Sequence, residues 1–97
     1  MTQYRFTSAA LTELREATLY YEQCENGLGT AFLNEIDATL NRILQYPTAW
    51  HQLSLRTRRC RTHRFPFALI YQIRTDEILI TQVMDLRRDP ARWKDLM

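Results

Sequence analysis

Apolar positions recur along this chain with two different periods, and the change of period divides it. Ala10, Leu14, Ala17, Tyr21 and Cys24 follow one another at three- and four-residue steps, with Leu11 on a flank. Glu13, Arg15, Glu16, Glu22 and Glu25 fall elsewhere, so the stretch reads as an amphipathic helix with one apolar stripe. Thr7 or Ser8 supplies its N-cap. Asn26-Gly27 is expected to end it in the left-handed conformation, and Leu28-Gly29 to make the turn. A second helix is predicted from about Thr30 to Tyr46, on a stripe of Phe32, Ile36, Leu40 and Ile43 widened by Leu33 and Leu44. Pro47 stops it. Helices joined by so short a loop pack as an antiparallel hairpin. The Tyr20-Tyr21 pair is assigned with the stripes to core packing.

The other period is that of strands. Tyr4-Arg5-Phe6-Thr7 alternates aromatic and polar residues, a short edge strand. Three more strands are expected at roughly 58–65, 67–74 and 77–85, with Trp50 and Leu53 plugging the edge of the core. Pro66 marks a bend or bulge between the first two. Arg74-Thr75-Asp76-Glu77 makes the next reversal. The last strand is apolar on both sides, as a central strand would be. Asp89 and Pro90 suit the cap and first turn of a short terminal helix. The order β-α-α-β-β-β, with a helical hairpin covering an antiparallel sheet, is a single α+β domain over residues 1–97.

Charge changes this picture. The formal net charge is only +2. Residues 1–50 carry three basic side chains against six acidic ones, whereas residues 51–97 carry ten against five. Sign separation in one small domain points to a directional partner surface. Twelve of the thirteen basic residues are Arg, which favours bidentate contacts to phosphate or carboxylate. Arg56, Arg58, Arg59, Arg61 and Arg64 fall within nine positions, and Arg87, Arg88 and Arg92 form a second group beside Trp93. Two guanidinium-rich edges joined by a hydrophobic hairpin suit a surface that grips a polyanion or an acidic partner. The bland alternative is a solvated strand face, with Arg87 and Arg88 paired to Asp85, Asp89 or Asp95.

Other chemistry is thin. Cys24 and Cys60 make no disulfide framework, and a zinc site from Cys24, His51, Cys60 and His63 lacks paired ligand spacing, so no metal or cofactor is expected. The first residues lack the apolar core of a signal peptide, and no segment is long enough to span a bilayer. A reduced, cytoplasmic protein is the expectation.

Several stretches, in this order and spacing, resemble the RelE/ParE superfamily of toxins from bacterial type II toxin–antitoxin modules. They are Gly27-Leu28-Gly29-Thr30-Ala31-Phe32-Leu33, Tyr46-Pro47, Arg58-Arg59, Phe65-Pro66-Phe67-Ala68-Leu69-Ile70-Tyr71 and Leu86-Arg87-Arg88-Asp89-Pro90-Ala91-Arg92-Trp93. The resemblance implies one of two actions: RelE-like members cut messenger RNA on the ribosome, and ParE-like members poison DNA gyrase. It also implies neutralisation by an antitoxin with an acidic C-terminal segment, in a toxin–antitoxin hetero-oligomer.

RNA cleavage needs a base, an acid and cations. For that reading the candidates are His63 for proton transfer, with Arg59, Arg64 and Arg87 as the principal cations. Where many relatives place His at the end of the last strand, this chain has Asp85, and the tail offers neither His nor Tyr. The ParE-like action is therefore favoured, the ribosome-dependent endoribonuclease is the alternative, and a degenerate member binding only antitoxin and operator DNA is the third reading. On the binding reading Arg58, Arg59, Arg61, Arg64, Arg87, Arg88 and Trp93 form the partner surface. An antitoxin segment is expected to add a strand to a sheet edge or to lay a helix beside the helical hairpin.

Overall fold

The computed structural model describes residues 3–88. The elements are β1 (Gln3–Phe6), α1 (Ser8–Cys24), α2 (Leu28–Gln45), β2 (His51–Gln52), β3 (Thr57–Arg61), β4 (Phe67–Ile73) and β5 (Glu77–Asp85). One sheet holds all five strands in the order β1-β5-β4-β3-β2. The helical hairpin lies on one of its faces, so the architecture is the expected α+β domain.

Local chemistry sets the helix ends. The Thr7 side chain accepts the Ala10 N–H at 3.1 Å and starts α1. The link between the helices is tighter than the sequence suggested. α1 stops at Cys24 on an extended Glu25, and the left-handed residue is Gly27 (φ 87°) at the start of α2. Leu28 and Gly29 therefore belong to α2 and are no turn. The Glu22 carboxylate holds this corner by accepting the N–H groups of Gly27 and Gly29, each at about 3 Å. It serves the open N-terminus of α2 in place of a capping side chain. Gly29 is required here, because a Cβ would stand 2.9 Å from the Thr18 carbonyl oxygen of α1.

Phe32, Ile36, Leu40 and Ile43 of α2 are all buried, as their spacing predicts, and they meet Ala10 and Tyr21 of α1. Beneath them lie Cys60, Phe67, Leu69, Tyr71, Ile78, Ile80 and Val83 from one face of the sheet. Leu14, Ala17 and Trp50 pack at the margin. Cys24 is exposed, because the stripe runs out at the last residue of α1. Tyr20 is half exposed, so only Tyr21 of that pair is core. On the opposite face Leu53, Ala68 and Ile70 form a smaller cluster with Met84 and Leu86.

The sheet is mixed rather than wholly antiparallel. β1 pairs parallel with β5, Gln3 to Phe6 against Glu77 to Ile80, while the other neighbours are antiparallel. The added reversal comes from β2, two residues too short to show a strand period. β3 ends at Arg61 instead of 65, because Phe65 adopts φ 72° and breaks the strand before Pro66. Thr81 is the extra residue of a bulge, since Tyr71 pairs with Ile80 and Ile70 with Gln82. The expected terminal helix at Asp89 and Pro90, and Trp93, lie outside the described residues.

Candidate functional site

The arginine run around β3 is divided by the two-residue period of the strand. Arg58 stands opposite Tyr71 on the helix-covered side, and one of its terminal nitrogens donates to the Thr48 and Trp50 carbonyls at 3.1 and 2.9 Å. It ties down the segment after α2. Arg59 and Arg61 face the other way, in register with Ile70 and Ala68. Burial, and then the neighbouring Arg61 charge, push the Arg59 guanidinium below its ordinary pKa. The run is therefore no single patch, because consecutive strand residues occupy opposite faces.

Arg64 reaches its place through the loop joining β3 to β4. The Thr62 hydroxyl is within donating distance of the Phe65 and Phe67 carbonyls at 2.7 and 3.1 Å. That brace holds Phe65 in its left-handed conformation, a strained one for a bulky residue. The Glu35 carboxylate accepts the His63 main-chain N–H at 2.7 Å, and the His63 ring Nδ1 lies 3.5 Å from Arg42 Nη1. Arg42 also donates to Thr39 Oγ1 and to the Arg61 carbonyl. The loop is thus anchored to α2 through His63, and the end of β3 beside it through the Arg61 carbonyl.

The Phe65 ring carries the Arg64 guanidinium at 4.9 Å on one side and packs on Tyr21 at 4.8 Å and Phe32 at 5.3 Å. Arg87 lies 5.6 Å from the Tyr20 ring centroid and 5.9 Å from that of Tyr21. Arg64 and Arg87 thereby flank one aromatic cluster at the same end of the molecule, although 23 positions separate them in sequence. A cation over an aromatic face is attracted by the ring quadrupole.

Arg87 is also bound to Asp85. Its Nε and Nη2 donate to the two carboxylate oxygens at 3.1 and 3.0 Å, and its main-chain N–H adds a third bond at 2.9 Å. Burial pushes the Asp85 carboxyl upward, but these bonds and the Arg87 charge outweigh it and hold the group below the usual carboxylate range. The same fork raises the Arg87 pKa. Burial raises the Tyr21 pKa, and its hydroxyl is enclosed with no hydrogen-bond partner among the described residues.

Beside this end runs a groove of about 600 Å³ between α1 and β5, lined by Glu13, Glu16, Ala17 and Tyr20 on one side and by Val83, Asp85, Arg87 and Arg88 among others on the other. Glu13 and Tyr20 are members that sequence reasoning missed. Glu13 was an unremarked polar position of the helix, and Tyr20 was merged with its buried neighbour. No group of three His, Cys, Asp or Glu among the described residues could hold a metal ion. No described helix is long and apolar enough to cross a membrane.

The family model for the ParE toxin of the type II toxin–antitoxin system parDE matches residues 4–90. Among solved structures, the chromosomal ParDE toxin–antitoxin system from P. aeruginosa is similar, with a TM-score of 0.74 and 18% sequence identity. The match covers 89% of this chain and 97% of that one. At that identity the likeness bears on the fold. No curated protein matches the sequence.

Proposed function

The chain belongs to the ParE toxin family of type II toxin–antitoxin systems, and from that premise we propose that it arrests growth by binding and inhibiting a cellular target, with DNA gyrase favoured. A cognate antitoxin neutralises it through an acidic segment that covers the basic end, in a toxin–antitoxin hetero-oligomer.

The observation that carries the reading is the engagement of the polar groups at that end. Asp85 is locked in a fork by Arg87, and the His63 loop is held by Glu35 with its ring beside Arg42. General acid–base chemistry on RNA needs a donor and an acceptor poised at the reacting phosphate. Arg58, a partner-surface candidate, is spent on carbonyls of its own chain, so the binding reading rests on Arg64 and Arg88 at one end, with Arg87 half exposed beside them although forked to Asp85. Arg59 and Arg61 lie on the helix-free face and are less suited to share a partner with them. Arg64 and Arg87, exposed beside aromatic rings, offer guanidinium groups that an acidic side chain can reach.

Purified toxin assayed in parallel on gyrase supercoiling and on messenger RNA in translating ribosomes tests the proposal. Inhibited supercoiling with intact message is expected. Cleaved message with unaffected supercoiling overturns it.

A further inference from the structure

The two layers of the domain carry opposite charge. Residues 8–45, which form the helical hairpin, hold six carboxylates against Arg15 and Arg42 alone. The sheet face turned away from the hairpin is the reverse. Alternation along the strands puts Arg59 and Arg61 of β3 there, in register with Ile70 and Ala68 of β4, and sets His51 of β2 opposite Arg59. Gln72 continues the same face. The Arg74 guanidinium turns back onto it and donates to the Gln72 side-chain oxygen at 3.2 and 2.9 Å. At the far edge Arg5 of β1 and Glu77 of β5 hold each other at 3.0 Å. Glu77 is the one carboxylate among the described strand positions of this face, and Arg5 already answers it. Asp76 lies beyond it in the turn.

Arg61 and Arg74 are exposed and form no ion pair among the described residues. Burial, and after it the Arg61 charge, lowers the Arg59 pKa, so the two guanidinium groups feel one another. An anion in contact with both relieves that repulsion. Two residues of strand separate Arg59 from Arg61 by about 7 Å along β3, so the fitting partner offers a row of negative groups instead of a single one.

We propose that this face grips the sugar–phosphate backbone of the duplex DNA that gyrase holds, without reading its sequence. This rests on the gyrase reading above and names what the toxin touches there besides protein. Guanidinium and amide donors suit phosphate oxygens, which position a protein on DNA and carry no sequence information. A row of cations on a broad sheet follows a duplex backbone, whereas a single strand is taken by aromatic platforms on which its bases stack. The acidic hairpin is repelled by the same backbone, so the charge separation of the domain turns the sheet toward DNA. The end that bears Arg64 and Arg88 is left to the antitoxin.

The test is fluorescence anisotropy of a labelled random-sequence duplex, titrated with purified toxin over a range of salt, with the labelled single strand beside it. With about three phosphate contacts, from Arg59, Arg61 and Arg74, log affinity should fall against log salt with a slope of about −2 to −3. Arg61→Gln should flatten that slope by about one and weaken binding about five- to tenfold at about 0.1 M salt. It should weaken supercoiling inhibition in parallel. Arg15→Gln removes the same charge from the helical layer and should change neither. Tighter binding of the single strand, or equal losses from Arg15→Gln and Arg61→Gln, overturns the inference. Inhibited supercoiling without duplex binding overturns it and leaves the gyrase reading intact, and duplex binding without inhibited supercoiling does the reverse. A folded Arg61→Gln protein that loses inhibition but binds the duplex as before assigns the face to an acidic protein surface, and overturns the inference too.

Discussion

Phe65 permits a comparison in which two smaller residues should rank against habit. Its ring packs on Tyr21 at 4.8 Å and Phe32 at 5.3 Å, yet its backbone sits at φ 72°. Truncation to Ala removes the ring and keeps the strain. Full burial would put that loss at about 3–5 kcal/mol, and for this partly buried ring about 2–3 kcal/mol is appropriate. Gly loses the same ring but escapes the left-handed penalty of about 1–2 kcal/mol. Against that, Gly costs about 0.4–1 kcal/mol through the greater freedom of its unfolded chain. The balance leaves Phe65→Gly more stable than Phe65→Ala by about 0.5–1 kcal/mol, although both fall below the parent. Urea unfolding followed by circular dichroism reads the difference. With m of about 1–2 kcal/mol per molar, the Gly midpoint should lie roughly 0.5 M above that of Ala. A Gly midpoint at or below that of Ala, at equal m, would falsify the claim that this loop is held under backbone strain. The outcome matters for the site, since the strained residue sets the position of Arg64 over the aromatic cluster.

Two other outcomes follow from the basic end. Because the folded Asp85 carboxyl is held below its ordinary pKa, its contribution to stability is complete above about pH 4 and disappears as pH falls through the depressed value. Arg87 is about half exposed (48%), so the contribution is about 0.5–1 kcal/mol; Asp85→Asn should lower the urea midpoint at pH 7 and lose that deficit near pH 2, and a deficit that persists there would place the effect in packing instead. His63→Ala should leave growth arrest largely intact on the binding reading, whereas a nuclease that used it would lose about 10²–10⁴ in rate. A plating assay with matched expression separates the two.

Much of the fold was legible in one dimension because it depends on spacing along the chain. The stripe from Phe32 to Ile43 is buried throughout because a helix turns a 3.6-residue period into a face. Thr7 caps α1 because its oxygen is already beside the next turn. The apolar runs of β4 and β5 announce internal strands for a similar reason, since neither face of such a strand meets water. Gly27 was rightly read as left-handed and wrongly placed, because the sequence carries the need for positive φ but not which of two abutting helices uses it.

The site depended on what lies far apart in sequence. Five arginines within nine positions looked like one surface, yet a pleated strand sends Arg58 to one side and Arg59 and Arg61 to the other. Arg64 and Arg87 meet across Phe65 and Tyr21 only because β4 and β5 pair in a register that sets Phe67 against Asp85. Glu13 finds Val83 across 70 positions because α1 crosses the sheet where β1 stops short. Side-chain periodicity is a property of each element. Which groups share a groove is decided by how the elements pack, here by α1 lying along β5 beyond the point where β1 ends.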